Sequence, residues 1–247
     1  MKTVITSRQN ALVRHMKALG AERRYRREYG EFLCDGLRCL KEAAETDSVT
    51  AVLAVSEAPE LAGLPVTYVA REILEYVAPV RNVSDFVFSC KIPETAAELS
   101  PGGRYIILDG VADPGNVGSV IRTAAAFGLS AVALTGDCAD TYNPKTVRAS
   151  MGGIFKIPVI PVGTEELRRA VGLGLTVYGA ALSDAAADVR SLDFAGASAA
   201  IGSEGAGLSA EVLALCEKLA VIPMCAGTES LNAAAAAAIL MWEMRRG

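Results

Sequence analysis

From Tyr105 onward the chain alternates short, uninterrupted apolar runs with stretches of helical period, and that alternation leaves few architectures open. Residues Tyr105–Leu108, Ala131–Leu134, Ile157–Val162, Thr176–Ala181, Ala199–Ile201 and Ala220–Ile222 read as strands. Between and after them, Val117–Phe127, Pro144–Met151, Glu165–Val171, Ala210–Leu215 and Leu231–Arg246 read as helices. Strands that are apolar on both faces and separated by helices form a parallel sheet covered on both sides. The fold class is therefore α/β, a mostly parallel sheet with helices on both faces. Ligands of such a sheet sit beyond the carboxyl ends of its strands.

The first 95 residues read differently. Ser7 is placed to cap a helix over Asn10–Leu19, where Leu12, Met16 and Leu19 recur at helical spacing and Gly20 ends the run. A second helix over Gly36–Ala44 and strand-like runs at Val49–Val55, Val66–Val69 and Phe86–Cys90 complete a small α/β unit. The stretch KIPETAAELSPGG, Lys91–Gly103, collects proline, glycine and polar residues as a linker does. The expected division is 1–95, a linker at 96–103, and a main domain at 104–247.

A hydrophobic content of 51% with 21% charged residues is that of an ordinary globular protein. The longest apolar run, Ala233–Trp242, is too short to span a bilayer, and MKTVITSRQN lacks the apolar centre of a secretory signal. A cytoplasmic protein without a membrane partner is the expectation. Six cysteines form no C-x-x-C pair and His15 is the lone histidine, so no metal is expected and the thiols read as reduced. Net charge is −4, yet residues 1–30 carry eight basic residues against Glu22 and Glu28, a local balance of +6 that leaves −10 for the remainder. Arg8, Arg14, Arg23, Arg24, Arg26 and Arg27 belong to this cluster. It either neutralises nucleic-acid phosphates or is a solvated helix face, and charge alone leaves both open.

Three strand ends carry the chemistry. LDGVADPGNVGSVIRTAAAFG, Leu108–Gly128, has glycines spaced G-x-x-x-x-G-x-x-G, which is neither a dinucleotide fingerprint nor a P-loop. Asn116 stands at a helix start, where it could serve as the cap, and Arg122 lies in an otherwise apolar helix as either a buried ion-pair member or a ligand-facing cation. AAIGSEGAGLS, Ala199–Ser209, places Glu204 among three glycines that allow close backbone approach to a ligand. IPMCAGTESLNAAAAAAIL offers Gly227 for a tight loop, Ser230 and Asn232 at a helix start, and alanines that let this helix approach a neighbour. Capping alone would also explain Ser230.

Together and in this order, these stretches resemble the three motifs of the SpoU (TrmH) family of RNA ribose 2′-O-methyltransferases, in the SPOUT superfamily. Motif one is matched by Asn116, Gly118 and Arg122, motif two by Ile201 to Gly207 with Leu208, and motif three by Ile222-Pro223-Met224 and Glu229-Ser230-Leu231-Asn232. The resemblance covers Gly103–Gly247 firmly. It extends less specifically over SRQNALVRHMKAL and GEFLCDGLRCLKEA, which look like the family's accessory RNA-binding domain, similar to kink-turn-binding ribosomal proteins. Two departures are mild: Ala233-Ala234 stands where the family often has Val-Ser, and Asp35-Gly36 where it often has Glu-Gly.

The resemblance implies a C-terminal trefoil knot, a homodimer through the methyltransferase domain, and S-adenosylmethionine as cofactor. Carried onto this chain, it places the cofactor against Thr135, Gly136, Ile201, Gly202, Ile222, Met224 and Leu231. It makes Arg122 catalytic, with Ser230 and Asn232 orienting the ribose and Asn116 and Glu204 fixing the arginine and the loops. Arg148 and Ser150 match a family segment near the RNA. The implied reaction is 2′-O-methylation of RNA, with 23S rRNA favoured over tRNA because the family's tRNA members more often lack the extra N-terminal domain. A non-catalytic RNA-binding protein on the same fold is the rival, and intact Arg122, Glu204, Ser230 and Asn232 count against it. A nicotinamide dehydrogenase would need G-x-G-x-x-G and a ribose-binding acid, and neither is present.

Overall fold

The computed structural model describes residues 4–78, 84–94, 98–225 and 230–246. The first unit runs α1 (Ala11–Ala21), α2 (Arg23–Tyr29), β1 (Glu31–Asp35), α3 (Leu37–Glu45), β2 (Val49–Ala54), β3 (Val66–Tyr68), α4 (Arg71–Val77) and β4 (Phe86–Lys91). Its four-stranded sheet has the order β1-β4-β2-β3, with β4 antiparallel to both neighbours and β2 parallel to β3. Asn10 caps α1 by accepting from the Leu12 N–H at 2.9 Å, whereas the Ser7 hydroxyl accepts from Gln9. Gly20 does not end this helix. It lies inside α1, with the Leu33 side chain 3.0 Å from where its Cβ would stand.

The second unit runs β5 (Tyr105–Asp109), α5 (Pro114–Phe127), β6 (Ala131–Thr135), α6 (Pro144–Ser150), β7 (Val159–Pro161), α7 (Thr164–Gly172), β8 (Thr176–Ala180), β9 (Ala187–Asp188), β10 (Ala197–Gly202), α8 (Ala210–Leu213), β11 (Lys218–Val221) and α9 (Ala233–Arg246). The strand order is β7-β6-β5-β10-β8-β11-β9, and every pairing is parallel. Alternate residues of β5 serve the two faces. Ile106 and Leu108 join α5 and α9 through Val117, Ile121, Leu240 and Met241, while Ile107 joins α7 and α8 through Leu167 and Val212. Double coverage explains why the strands read as unbroken apolar runs.

Asp113, not Asn116, is the N-cap of α5; its carboxylate accepts the Asn116 N–H at 2.8 Å, and Pro114 fills the first helical turn, where its missing N–H costs nothing. Asn116 is thereby released for other contacts. Gly118 faces α6 so closely that a Cβ would lie 2.4 Å from the Thr146 carbonyl oxygen and 2.6 Å from the Ala149 Cβ. The glycine of the first motif is thus a helix-packing residue. Gly118→Ala should cost about 1–3 kcal/mol through overpacking, measured by denaturant unfolding.

The two units share one core. Phe32 of β1 packs on Tyr142 and Phe155 with ring centroids 4.7 and 5.9 Å apart. Burial, then the charge of Asp140, pushes the Tyr142 phenol up to about 12. Arg26, expected on the RNA face, is instead buried at this junction. Its guanidinium donates to the Leu19 carbonyl at 2.7 Å and to Asp140 Oδ2 at 3.2 and 2.5 Å. A charge so placed is unavailable to phosphate. Arg8, Arg14, Arg23, Arg24 and Arg27 are exposed, although Arg23 Nε lies 4.0 Å from Asp140.

Candidate active site

Three loops at the carboxyl ends of the central strands enclose a cavity of about 540 Å³. The end of β8 contributes Ala180 and Ala181, and the end of β10 contributes Ile201 and Gly202. Glu204, Leu208, Ile222, Met224, Ser230 and Leu231 complete most of the wall. The loop after β10 closes through reciprocal bonds, Ser203 N–H to Gly207 carbonyl at 3.2 Å and Gly207 N–H to Ser203 carbonyl at 3.0 Å. A Cβ on Gly202 would lie 1.9 Å from the Gly207 carbonyl group, so this glycine is required by the loop folding back on itself. Asp109, buried at the end of β5, accepts the Ser209 N–H at 2.7 Å and ties the far side of that loop to the sheet.

A chain of side-chain amides joins the three motifs. Asn116 Nδ2 donates to Glu204 Oε1, and Asn232 Nδ2 donates to Asn116 Oδ1 at 2.9 Å. Asn232 Oδ1 also accepts from the N–H groups of Ala234 and Ala235 at 3.0 and 3.3 Å, capping α9. One asparagine therefore fixes both the start of α9 and the position of the α5 entry. Arg122 stands apart from this chain. It is exposed on α5, and among the described residues no carboxylate lies within 4.0 Å of it. Of the two readings that the sequence left open for Arg122, its exposure is at odds with the buried ion-pair member.

Of the residues expected around a cofactor, Ile201, Gly202, Ile222, Met224 and Leu231 line the cavity. Thr135 and Gly136 do not. Thr135 is buried at the end of β6, its carbonyl accepting from the Gly110 N–H at 3.0 Å, and Gly136 turns at φ +63 beside Asp109. They stabilise the neighbouring strand end instead. Ser150 is likewise closed off, its buried hydroxyl donating to the Val147 carbonyl at 2.6 Å. Arg148 is half exposed and pairs with Asp35 at 3.4 Å. Gly227, Thr228 and Glu229 lie outside the described residues. Sequence reasoning missed Ala180, Ala181 and Asp109; the last carried a signal, an acid closing an apolar strand just before a glycine.

The family model of the SpoU rRNA Methylase family matches residues 103–242, which contain all three loops. The chain belongs to that family. It is 30% identical over 250 residues to "23S rRNA (guanosine(2553)-2'-O)-methyltransferase RlmP" of Bacillus subtilis (strain 168), covering 98% of each chain. It is 32% identical to "23S rRNA (uridine(2479)-2'-O)-methyltransferase" of Streptomyces viridochromogenes, over 98% of this chain and 91% of that one. An AdoMet-bound rRNA methyltransferase from Sinorhizobium meliloti superposes with a TM-score of 0.89 at 29% identity, covering 99% of this chain and 97% of the other. SpoU members that match along nearly their whole length thus carry both units, and two of them are named for different bases.

Proposed function

We propose that this SpoU-family methyltransferase carries a methyl group from S-adenosylmethionine to a ribose 2′-hydroxyl of RNA, with 23S ribosomal RNA its substrate. The observation that carries this reading is the convergence of Glu204, Asn116 and Asn232 from three separate segments beside one cavity, with Arg122 further along the helix that carries Asn116 and, among the described residues, without a carboxylate partner. The cavity suits the cofactor. Ile201, Leu208, Ile222, Met224 and Leu231 give an apolar wall for an adenine ring, and the Glu204 carboxylate at its edge favours a cationic ligand. Ile201, Gly202, Ile222, Met224 and Leu231 would hold it.

When bound, S-adenosylmethionine supplies a methyl group on a cationic sulfur, the electrophile for an attacking ribose oxygen. Protein side chains have little covalent work to do; alignment alone can contribute about 7–11 kcal/mol at best. A guanidinium does not surrender its proton in proteins. Arg122 therefore serves by gripping the substrate phosphate and stabilising the 2′-oxygen as its proton passes to solvent water, while the sulfur–methyl bond would break and release the neutral thioether S-adenosylhomocysteine. Ser230 offers a hydroxyl at the cavity wall to orient the ribose, and the Glu204–Asn116–Asn232 chain holds the loops rather than the arginine.

The same reading includes the trefoil knot, a cytoplasmic location, and a first unit that binds RNA as kink-turn-binding ribosomal proteins do. A homodimer through the methyltransferase domain is supported by Trp242, 53% exposed on α9 and 6.0 Å from the Phe127 ring of α5. Methyl transfer to deproteinised 23S rRNA from a strain lacking the gene, followed by mapping of 2′-O-methyl sites, tests the activity. Modification restricted to tRNA, or no modification, overturns it. Arg24→Glu with Arg27→Glu should weaken RNA binding and flatten its salt dependence by about 0.7 in slope per lost phosphate contact, with cofactor affinity unchanged. Both side chains are exposed, whereas Arg23 is drawn towards Asp140.

A further inference from the structure

The seam between the two units carries a feature that the active site does not explain. Gly152 and Gly153 thread between α5 and α3. A Cβ on Gly153 would stand 3.0 Å from the Arg122 Cα, and one on Gly152 would stand 2.7 Å from the Glu42 Cγ and 3.7 Å from the Arg38 carbonyl oxygen. Two adjacent residues thus separate the backbones that carry Arg122 and Arg38, placing them within roughly 14 Å of each other by chain geometry.

The surface over this seam combines cations with exposed apolar groups. Arg38 is exposed, and among the described residues no carboxylate lies within 4.0 Å of it. Arg148 is held in place by Asp35 while half its side chain stays in solvent. Leu37 and Met151 are 40% and 37% exposed. Met151 sits at φ +49, one of two non-glycine residues in the left-handed region among the described residues, where a side chain with a Cβ is disfavoured. A glycine would relieve that backbone, yet the position keeps a long, polarisable thioether facing outward beside Arg122's helix.

Resting on the proposed activity, we propose that this seam is a second RNA site: Arg38 grips a backbone phosphate of the strand flanking the target nucleotide, and Met151 with Leu37 packs against an unpaired neighbouring base. Charge complementarity, with the Arg38 backbone close to that of Arg122, argues for RNA as the occupant. The mixture of cation and apolar surface fits an unstacked single strand, whose bases are free to leave the helix, rather than a duplex that presents only phosphates and riboses. The first unit then contributes directly to positioning the reacting nucleotide through Arg38, apart from the basic surface of α1 and α2.

The test uses the full-length protein with deproteinised 23S rRNA from a strain lacking the gene. Arg38→Glu raises the KM for RNA about tenfold with kcat near that of the parent, and it reduces the salt slope of binding by about 0.7. Arg38→Lys restores most of the affinity. Met151→Gly weakens binding several-fold without lowering the melting temperature, because glycine suits its φ. Cofactor affinity is unchanged throughout. An Arg38→Glu variant with parental KM and salt slope overturns the seam site alone. A parent protein that binds and methylates no 23S rRNA overturns the proposed function, and the seam with it.

Discussion

Arg122→Ala will lower methyl transfer to 23S rRNA by about 10²–10³-fold, the usual loss when one preorganised donor to developing negative charge is removed. Its melting temperature and cofactor affinity will stay at the parental level. The separation of effects follows from placement. Arg122 is exposed, does not line the cavity, and stands outside the amide chain that ties the loops together. Exposed substitutions without such contacts usually fall within about 0.5 kcal/mol of neutral. Arg122→Lys should recover only part of the activity, because a point charge replaces a planar fork that matches phosphate geometry. Turnover close to parental in the alanine variant would remove Arg122 from the mechanism.

Arg26→Ala will destabilise the fold by about 3–5 kcal/mol, as expected when one member of a buried ion pair is removed, leaving Asp140 only the distant Arg23 guanidinium at 4.0 Å. Asp140 would keep its carboxylate at the junction with only 16% of the side chain exposed. The Leu19 carbonyl would lose its 2.7 Å donor at the same time. Denaturant unfolding measures the loss. Combining Arg26→Met with Asp140→Leu should recover a large part of it, since apolar pairs of similar volume often replace buried ion pairs without penalty. A small stability change accompanied by weakened RNA binding would reassign Arg26 to RNA contact.

The parallel sheet was legible because its strands are buried on both faces, which leaves an unmistakable run of apolar residues. By contrast, α2 was invisible as a helix. RRYRREY has no apolar stripe, and a seven-residue helix has little stability of its own; Arg26 anchors it through Leu19 and Asp140. The same contacts explain why a basic run did not translate into a uniformly basic surface. At the α5 start the sequence offered Asn116 as a cap, and Pro114, directly after Asp113, was the unused signal that the cap lies three residues earlier. Motif glycines were legible as positions but not as causes. Gly118 answers to α6 and Gly202 to its own loop, both tertiary approaches that no local pattern encodes. The bond from Asn232 to Asn116 spans 116 residues of chain, and only the folded topology brings those side chains together.

Phe32 wedged between Tyr142 and Phe155 has a consequence for target choice. With an aromatic plug and a buried ion pair joining the halves, a first unit that grips RNA, as proposed, would stand at a set offset from the cavity, like one jaw of a caliper. A substrate must then present its anchoring element and its target ribose at that one spacing. On that proposal, selection among the riboses of a ribosomal RNA becomes a measurement of length.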